Sequence, residues 1–198
     1  QDNLMSLELF KSSAHFHQHF TRQLESMLSY SELGVFILVL ANATTMPGVY
    51  TQLAKPLRLR FDHFERFLST CSSEILTSLA KDDVIVFHQL CETGLKNLPL
   101  SQVKSIDPWK IQFNRLRSFR PARNSQKSVS QLFEKFDPDN FHFNKPFLRK
   151  EILWQGAIAK IPLKILYNKF PFADYHSILV LNAEQCRPQF IEHHHCLQ

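Results

Sequence analysis

The feature that most constrains this chain is a change of hydrophobic period near Pro99. Before it, Leu4, Leu7, Phe10, Ala14, Phe20, Leu24 and Leu28 recur at spacings near three and four, the repeat of a helix face. After it, Trp109, Ile111 and Phe113 alternate with Lys110, Gln112 and Asn114, the period of a half-buried strand. The chain therefore reads as α+β, with a helical region over 1–100 and an antiparallel sheet over 101–198.

Local signals refine this outline. Thr70-Cys71-Ser72-Ser73-Glu74 ahead of Ile75, Leu76 and Leu79 predicts a helix start. A further helix is expected from Asp82 or Asp83 through Val86, Phe87, Leu90 and Leu95, with Gly94 near its end. Thr44-Thr45-Met46-Pro47-Gly48 reads as a turn or loop. The Arg-rich segment holding Pro121 reads as a loop, and Ser128 to Phe136 as a short amphipathic piece. Phe136-Asp137-Pro138-Asp139-Asn140-Phe141 predicts a turn from its composition. Ile152 to Leu166 is β-prone but interrupted by Gly156 and Pro162, whereas Ile178 to Leu181 is apolar on both faces and is expected in the middle of a sheet.

With 198 residues, 44% of them apolar and eighteen of them Phe, the chain can bury a substantial core. The most apolar window, Leu33 to Ala43, is too short to span a bilayer, and no signal peptide is seen. The first residue is Gln rather than Met, so the chain need not be a complete translation product. Cys71, Cys91, Cys186 and Cys196 lie far apart without CxxC spacing, which fits reduced thiols in a cytoplasmic protein. His15, His17 and His19 lie at i, i+2, i+4, which puts only the outer two on one helix face, and they read as solvated or partly packed rather than as a metal site.

The formal charge of +5 comes from one segment. Between Pro108 and Phe133 lie Lys110, Arg115, Arg117, Arg120, Arg123 and Lys127 with no acid, leaving the remainder of the chain near −1. A nucleic-acid footprint more often spreads over a face or a helix, whereas a compact arginine run suits one polyphosphate ligand. Nucleic acid is therefore ranked last among partners, and no membrane partner is expected.

The richest chemistry lies at Asn168 to His176, where an amide, the Lys169 ammonium, an imidazole and Pro171 gather between two strand-like runs. Such a turn can bond ribose hydroxyls or phosphate oxygens, although turns are rich in Asn and Pro everywhere. Asn-Lys-Phe-Pro-Phe-Ala-x-x-His-x-Ile-Leu-Val-Leu from Asn168, followed by Gln185-Cys186-Arg187-Pro188-Gln189, resembles the histidine-triad-like nucleotidyltransferases. The likeness is nearest to the GDP-hexose phosphorylases and the diadenosine-tetraphosphate phosphorylases. Phe136-Asp137-Pro138-Asp139-Asn140-Phe141-His142-Phe143-Asn144-Lys145, with Lys150-Glu151-Ile152-Leu153 behind it, is similar to a second segment of the same enzymes. Together these cover about residues 108–198; the helical first hundred have no counterpart.

That resemblance implies that 101–198 forms the first part of a histidine-triad-like nucleotide-binding domain. It implies nucleotide contacts from Asn168, Lys169 and His176, and phosphate contacts from Arg120 and Arg123. The implied activity is nucleotidyl transfer or phosphorolysis of a nucleoside-diphosphate sugar or dinucleoside polyphosphate, with neither metal nor cofactor. The family's nucleophilic histidine, in a His-x-His-x-His or His-x-His-x-Gln strand, has no match here and is expected outside the given residues. His193, His194 and His195 are consecutive, point in different directions, and fit neither that strand nor a metal site. A non-catalytic nucleotide-binding or protein-interaction module is the alternative; a homo-oligomer is left open.

Overall fold

The computed structural model describes residues 10–122, 136–158 and 160–187. Its first half is helical: α1 (Ser13–Met27), α2 (Leu33–Thr45), α3 (Pro47–Thr70), α4 (Ser73–Ser78) and α5 (Lys81–Thr93). Ser12 caps α1 by accepting the His15 N–H, and Ser72 caps α4 by accepting that of Ile75. Asp82 and Asp83 stand in the first turn of α5, where the helix dipole favours acids, and Gly94 ends it at φ +75°, a torsion that glycine adopts without strain.

Helix α2 organises the rest. Its sequence is apolar on every side, twelve of its thirteen residues are buried, and such a helix must be enclosed rather than laid on a surface. Helices α1, α3 and α5 all pack against it. The turn expected over Thr44–Gly48 contracts to Met46 alone: Thr44 and Thr45 complete α2, while Pro47 opens α3, because proline's fixed φ suits a first helical position. Leu4 and Leu7 lie outside the described residues.

The second half is built from two small antiparallel sheets, so the fold class is α+β. Strands β1 (Gln102–Ile106) and β2 (Trp109–Phe113) form a hairpin. The alternation at Trp109–Phe113 does mark a strand, but the expected half-burial is absent, since only Gln112 of β2 is even partly covered. The Arg-rich segment opens as a helical turn, α6 (Arg115–Ser118), rather than as a loop, because Asn114 Oδ1 accepts the Arg117 N–H at 3.0 Å and Leu116 is buried beneath it. Most of Ser128–Phe136 lies outside the described residues. The turn at Phe136–Phe141 forms around Asp137, whose carboxylate accepts from Asp139 N and Asn140 Nδ2.

Strands β3 (Ile152–Ile158), β4 (Ile161–Tyr167) and β5 (Ser177–Leu181) make the second sheet in the order β3-β4-β5. Gly156 and Pro162 do not interrupt the strands; Gly156 pairs with Leu163, Pro162 with Ala157 and Ile158 with Ile161. Gly156 is needed by Trp154, whose indole would come within 2.6 Å of any Cβ there. Strand β5 is not central either. Among the described residues it is an edge strand, with Val180 buried but Leu179 and Leu181 65% and 38% exposed.

One core crosses the change of period. Leu163, Ile165 and Tyr167 on one face of β4, with Leu116, Phe119 and Phe170, join the cluster built around α2. Leu166 and Val180, on the opposite face, pack in a smaller cluster with Leu148. Truncating Leu38, fully buried at the centre of α2, to Ala should cost about 2–5 kcal/mol in urea-induced unfolding; the same change at Leu59, which is 60% exposed, should cost under about 0.5 kcal/mol.

Candidate functional site

The turn from Asn168 to His176 joins β4 to β5 and is braced by its own side chains. Asn168 N–H donates to His176 O at 3.2 Å, and Asn168 Oδ1 accepts the Phe170 N–H at 3.0 Å. The second bond turns the Asn168 amide toward His176 Nε2, 3.2 Å away. The Phe172 N–H approaches the other ring nitrogen at 3.3 Å. A neutral imidazole offers a single lone pair, so two donors compete for it and an added proton meets a donor on either side. Burial, and then the charge of Arg117, hold the His176 pKa below its ordinary value.

The helices hold this turn from three directions. From α1, the Phe20 carbonyl accepts the Tyr167 hydroxyl at 2.7 Å, His17 Nδ1 lies 2.7 Å from the Tyr175 hydroxyl, and Phe16 and Phe20 pack against the Tyr175 ring. From α2, fully buried Asn42 donates to Asn168 O at 2.9 Å. From α5, Asp83 accepts Lys169 Nζ at 2.6 Å in a largely covered ion pair. Gly34, in the first turn of α2, makes room for that pair: a Cβ there would stand 2.5 Å from Asp83 Oδ2 and 2.9 Å from Lys169 Nζ.

Glu151 completes a charged group with Asp83 and Lys169. Burial pushes its carboxyl up to about 7; Lys169 pulls it down and Asp83 pushes it further up. Nearby at the start of α2, Glu32 pairs with Lys150, whose hydrogen bond holds the Glu32 carboxyl below its ordinary range.

The Arg-rich segment meets the turn directly. Arg117 donates through Nη1 to Phe170 O, and its guanidinium lies 5.6 Å from the centre of the Phe172 ring. Arg120 lies 5.7 Å from the Phe170 ring, and Phe172 in turn packs edge-on to His176 at 4.1 Å. One bond uses one of the five guanidinium N–H groups of Arg117, and its side of the turn remains exposed. The result is a rim of Arg117 and Arg120 over two aromatic rings.

The structure thus brings together Arg120, Asn168, Lys169 and His176. Asn168 and Lys169, however, are engaged inside the protein, by the turn and by Asp83 respectively. Arg123, Pro188, Gln189 and His193–His195 lie outside the described residues. Arg117 was not singled out by sequence, although it stands in the same cationic run; only its helical placement, three residues after the Asn114 cap, distinguishes it from its neighbours. Asp83 was legible only as a helix start and Asn42 not at all, because their partners at the turn are 86 and 126 residues away.

His15, His17 and His19 do not converge: His19 bonds Leu153 O and His17 meets Tyr175. Among the described residues no group of His, Cys, Asp and Glu has metal-holding geometry, and no helix is long and apolar enough to cross a membrane. Cys71, Cys91 and Cys186 are free thiols, and burial pushes that of Cys91 up to about 11. A cavity of about 30 Å³ beside Lys164, lined by Gln155, Gly156 and Glu184, has room for a water molecule and not for a nucleotide.

No family model, curated protein or solved structure matches this chain.

Replacing Lys169 by Met leaves Asp83 covered and without its cation, and should cost about 2 kcal/mol in urea titration; Lys150→Met, at an exposed pair, should cost under about 1 kcal/mol. Glu151 supplies a pH test. Its folded pKa is raised from 4.5 to about 7, so the folded state binds its proton more tightly and the contribution to stability is full below pH 4.5 and lost as pH rises through 7. Glu151→Gln should flatten that part of the stability profile, measured by denaturation across the window.

Proposed function

We propose that this chain handles a nucleotide through its phosphates, as part of a nucleotidyltransferase or phosphorylase acting on a nucleoside-diphosphate sugar or a dinucleoside polyphosphate. The observation that carries the reading is the docking of Arg117 and Arg120 on the Asn168–His176 turn. Guanidinium groups over aromatic rings keep their charge while their hydration is thinned, which strengthens their bonds to phosphate oxygens. His176, disfavoured as a cation, leaves the positive charge of the rim to the arginines.

The reading gives Asn168 a different role from the one expected of it. Its amide shapes the turn and orients His176, so its effect on a ligand is through geometry. Lys169 likewise fixes the turn to α5 rather than presenting a charge to a phosphate. This internal use of two candidate contacts favours, as a second reading, a nucleotide-binding module without catalysis.

Isothermal titration with GDP-glucose and diadenosine tetraphosphate tests both readings, followed by chromatography of the products formed in the presence of inorganic phosphate. Binding with release of GDP and glucose 1-phosphate, or of ADP and ATP, supports the enzyme; saturable binding without turnover supports the module. Arg117→Ala and Arg120→Ala should each weaken binding about tenfold or more, in line with the loss of a charge-assisted hydrogen bond. Absence of nucleotide binding by the folded wild-type chain would sink the proposal.

A further inference from the structure

Hairpin β1–β2 carries an apolar face that none of the described residues covers. The cross-strand pairs Ile106–Trp109, Lys104–Ile111 and Gln102–Phe113 share one face of the ribbon. On it Ile106, Trp109, Ile111 and Phe113 are 48%, 71%, 54% and 48% exposed. Lys104 is the sole charged residue of that face, and Lys110 falls on the other with Val103, Ser105 and Gln112. A two-stranded ribbon is marginal in water by itself, and a contiguous apolar patch marks a surface of association.

We propose that this face packs against the same face of a second copy of the chain, giving a two-fold symmetric dimer. At ordinary residue areas the four side chains expose about 500 Å² per protomer, so face-to-face packing removes about 1,000 Å² from water, the lower bound for a specific interface. The stems of Lys104 and Gln102 add to that area while the ammonium swings out to water. Lys104 and Lys110 leave the ribbon at +1, so it is the tip rather than the net charge that separates this occupant from a lipid surface. Asp107 stands at the hairpin tip between Ile106 and Trp109, where insertion into an anionic bilayer would lead with a carboxylate. An isologous contact asks for no partner of opposite charge, because the same apolar residues meet across the axis. Leu179 and Leu181 on the β5 edge, a second exposed apolar pair, offer a smaller area.

Sedimentation velocity of the full chain from nanomolar to high-micromolar concentration tests the dimer, with Trp109→Lys and Ile111→Lys as interface variants and Leu179→Lys as the control. The expected result is a dimer that dissociates on dilution, weakened about tenfold or more by either hairpin substitution and unchanged by the control. Trp109 is one of two tryptophans, so wild-type emission should shift to the blue as the dimer forms. A monomer at every concentration overturns the proposal. So does a dimer that survives both hairpin substitutions or is lost in Leu179→Lys, and so does co-sedimentation of a monomeric chain with phosphatidylserine vesicles. Where the hairpin variants fail to fold, wild-type fluorescence decides, since emission that stays constant while the mass doubles places the interface away from Trp109.

Discussion

A helix without a polar face imposes its own enclosure, and α2 is such a helix. Burial of its apolar side chains is the largest favourable term available to this chain, and it is realised only when walls exist on every side. Helices α1, α3 and α5 supply some of those walls, and the sheet-bearing half joins the same cluster through Leu163, Ile165, Tyr167 and Phe170. The helical and sheet regions are therefore coupled by packing before any polar contact is considered.

The polar contacts then convert that coupling into position. Asn42 and Gly34 are the two places on α2 where the helix deals with the turn as something other than hydrocarbon, one through an amide and one through the lack of a side chain. Asp83 adds a charge from α5, and α1 adds the contacts at Tyr167 and Tyr175. Three anchors within it and a fourth at Tyr167 just before it restrict a nine-residue turn that would otherwise sample many conformations, which is how a site is preorganised on a rigid frame. Arg117 arrives on that frame from α6 and Arg120 from just beyond it, so the rim comes from the second half of the chain and its anchors from the first.

Much of the fold was legible because it is local. Caps, period and turn composition located the start of α4, α5, β2 and the Asp137 turn within a residue or two, and the period from Ala14 to Leu24 marked α1 without its start at the Ser12 cap, since each depends on neighbours in sequence. What failed depended on distant partners. Gly156 looked like a strand break because the indole of Trp154 that requires it is a tertiary fact, and Ile178–Leu181 looked central because composition cannot say which side of a strand is covered. The candidate site shows the same division. Asn168, Lys169, His176 and Arg120, picked by side-chain chemistry and by the resemblance, lie around one turn, but the contacts of Asn168 and Lys169 are set by Phe170, His176 and Asp83, and the last of these stands in the helical region that offered no likeness to reason from.

The distances along the chain between the turn and its anchors carry a kinetic consequence. Tyr175 meets its α1 partner across 158 residues, Asn168 meets Asn42 across 126, and Lys169 meets Asp83 across 86. Contacts this far apart in sequence close late, after the entropy of the intervening loops has been overcome. The rim proposed to meet a phosphate is consequently among the last parts of the molecule to acquire its shape, and a peptide spanning the turn and its two strands would contain the chemical groups without the arrangement.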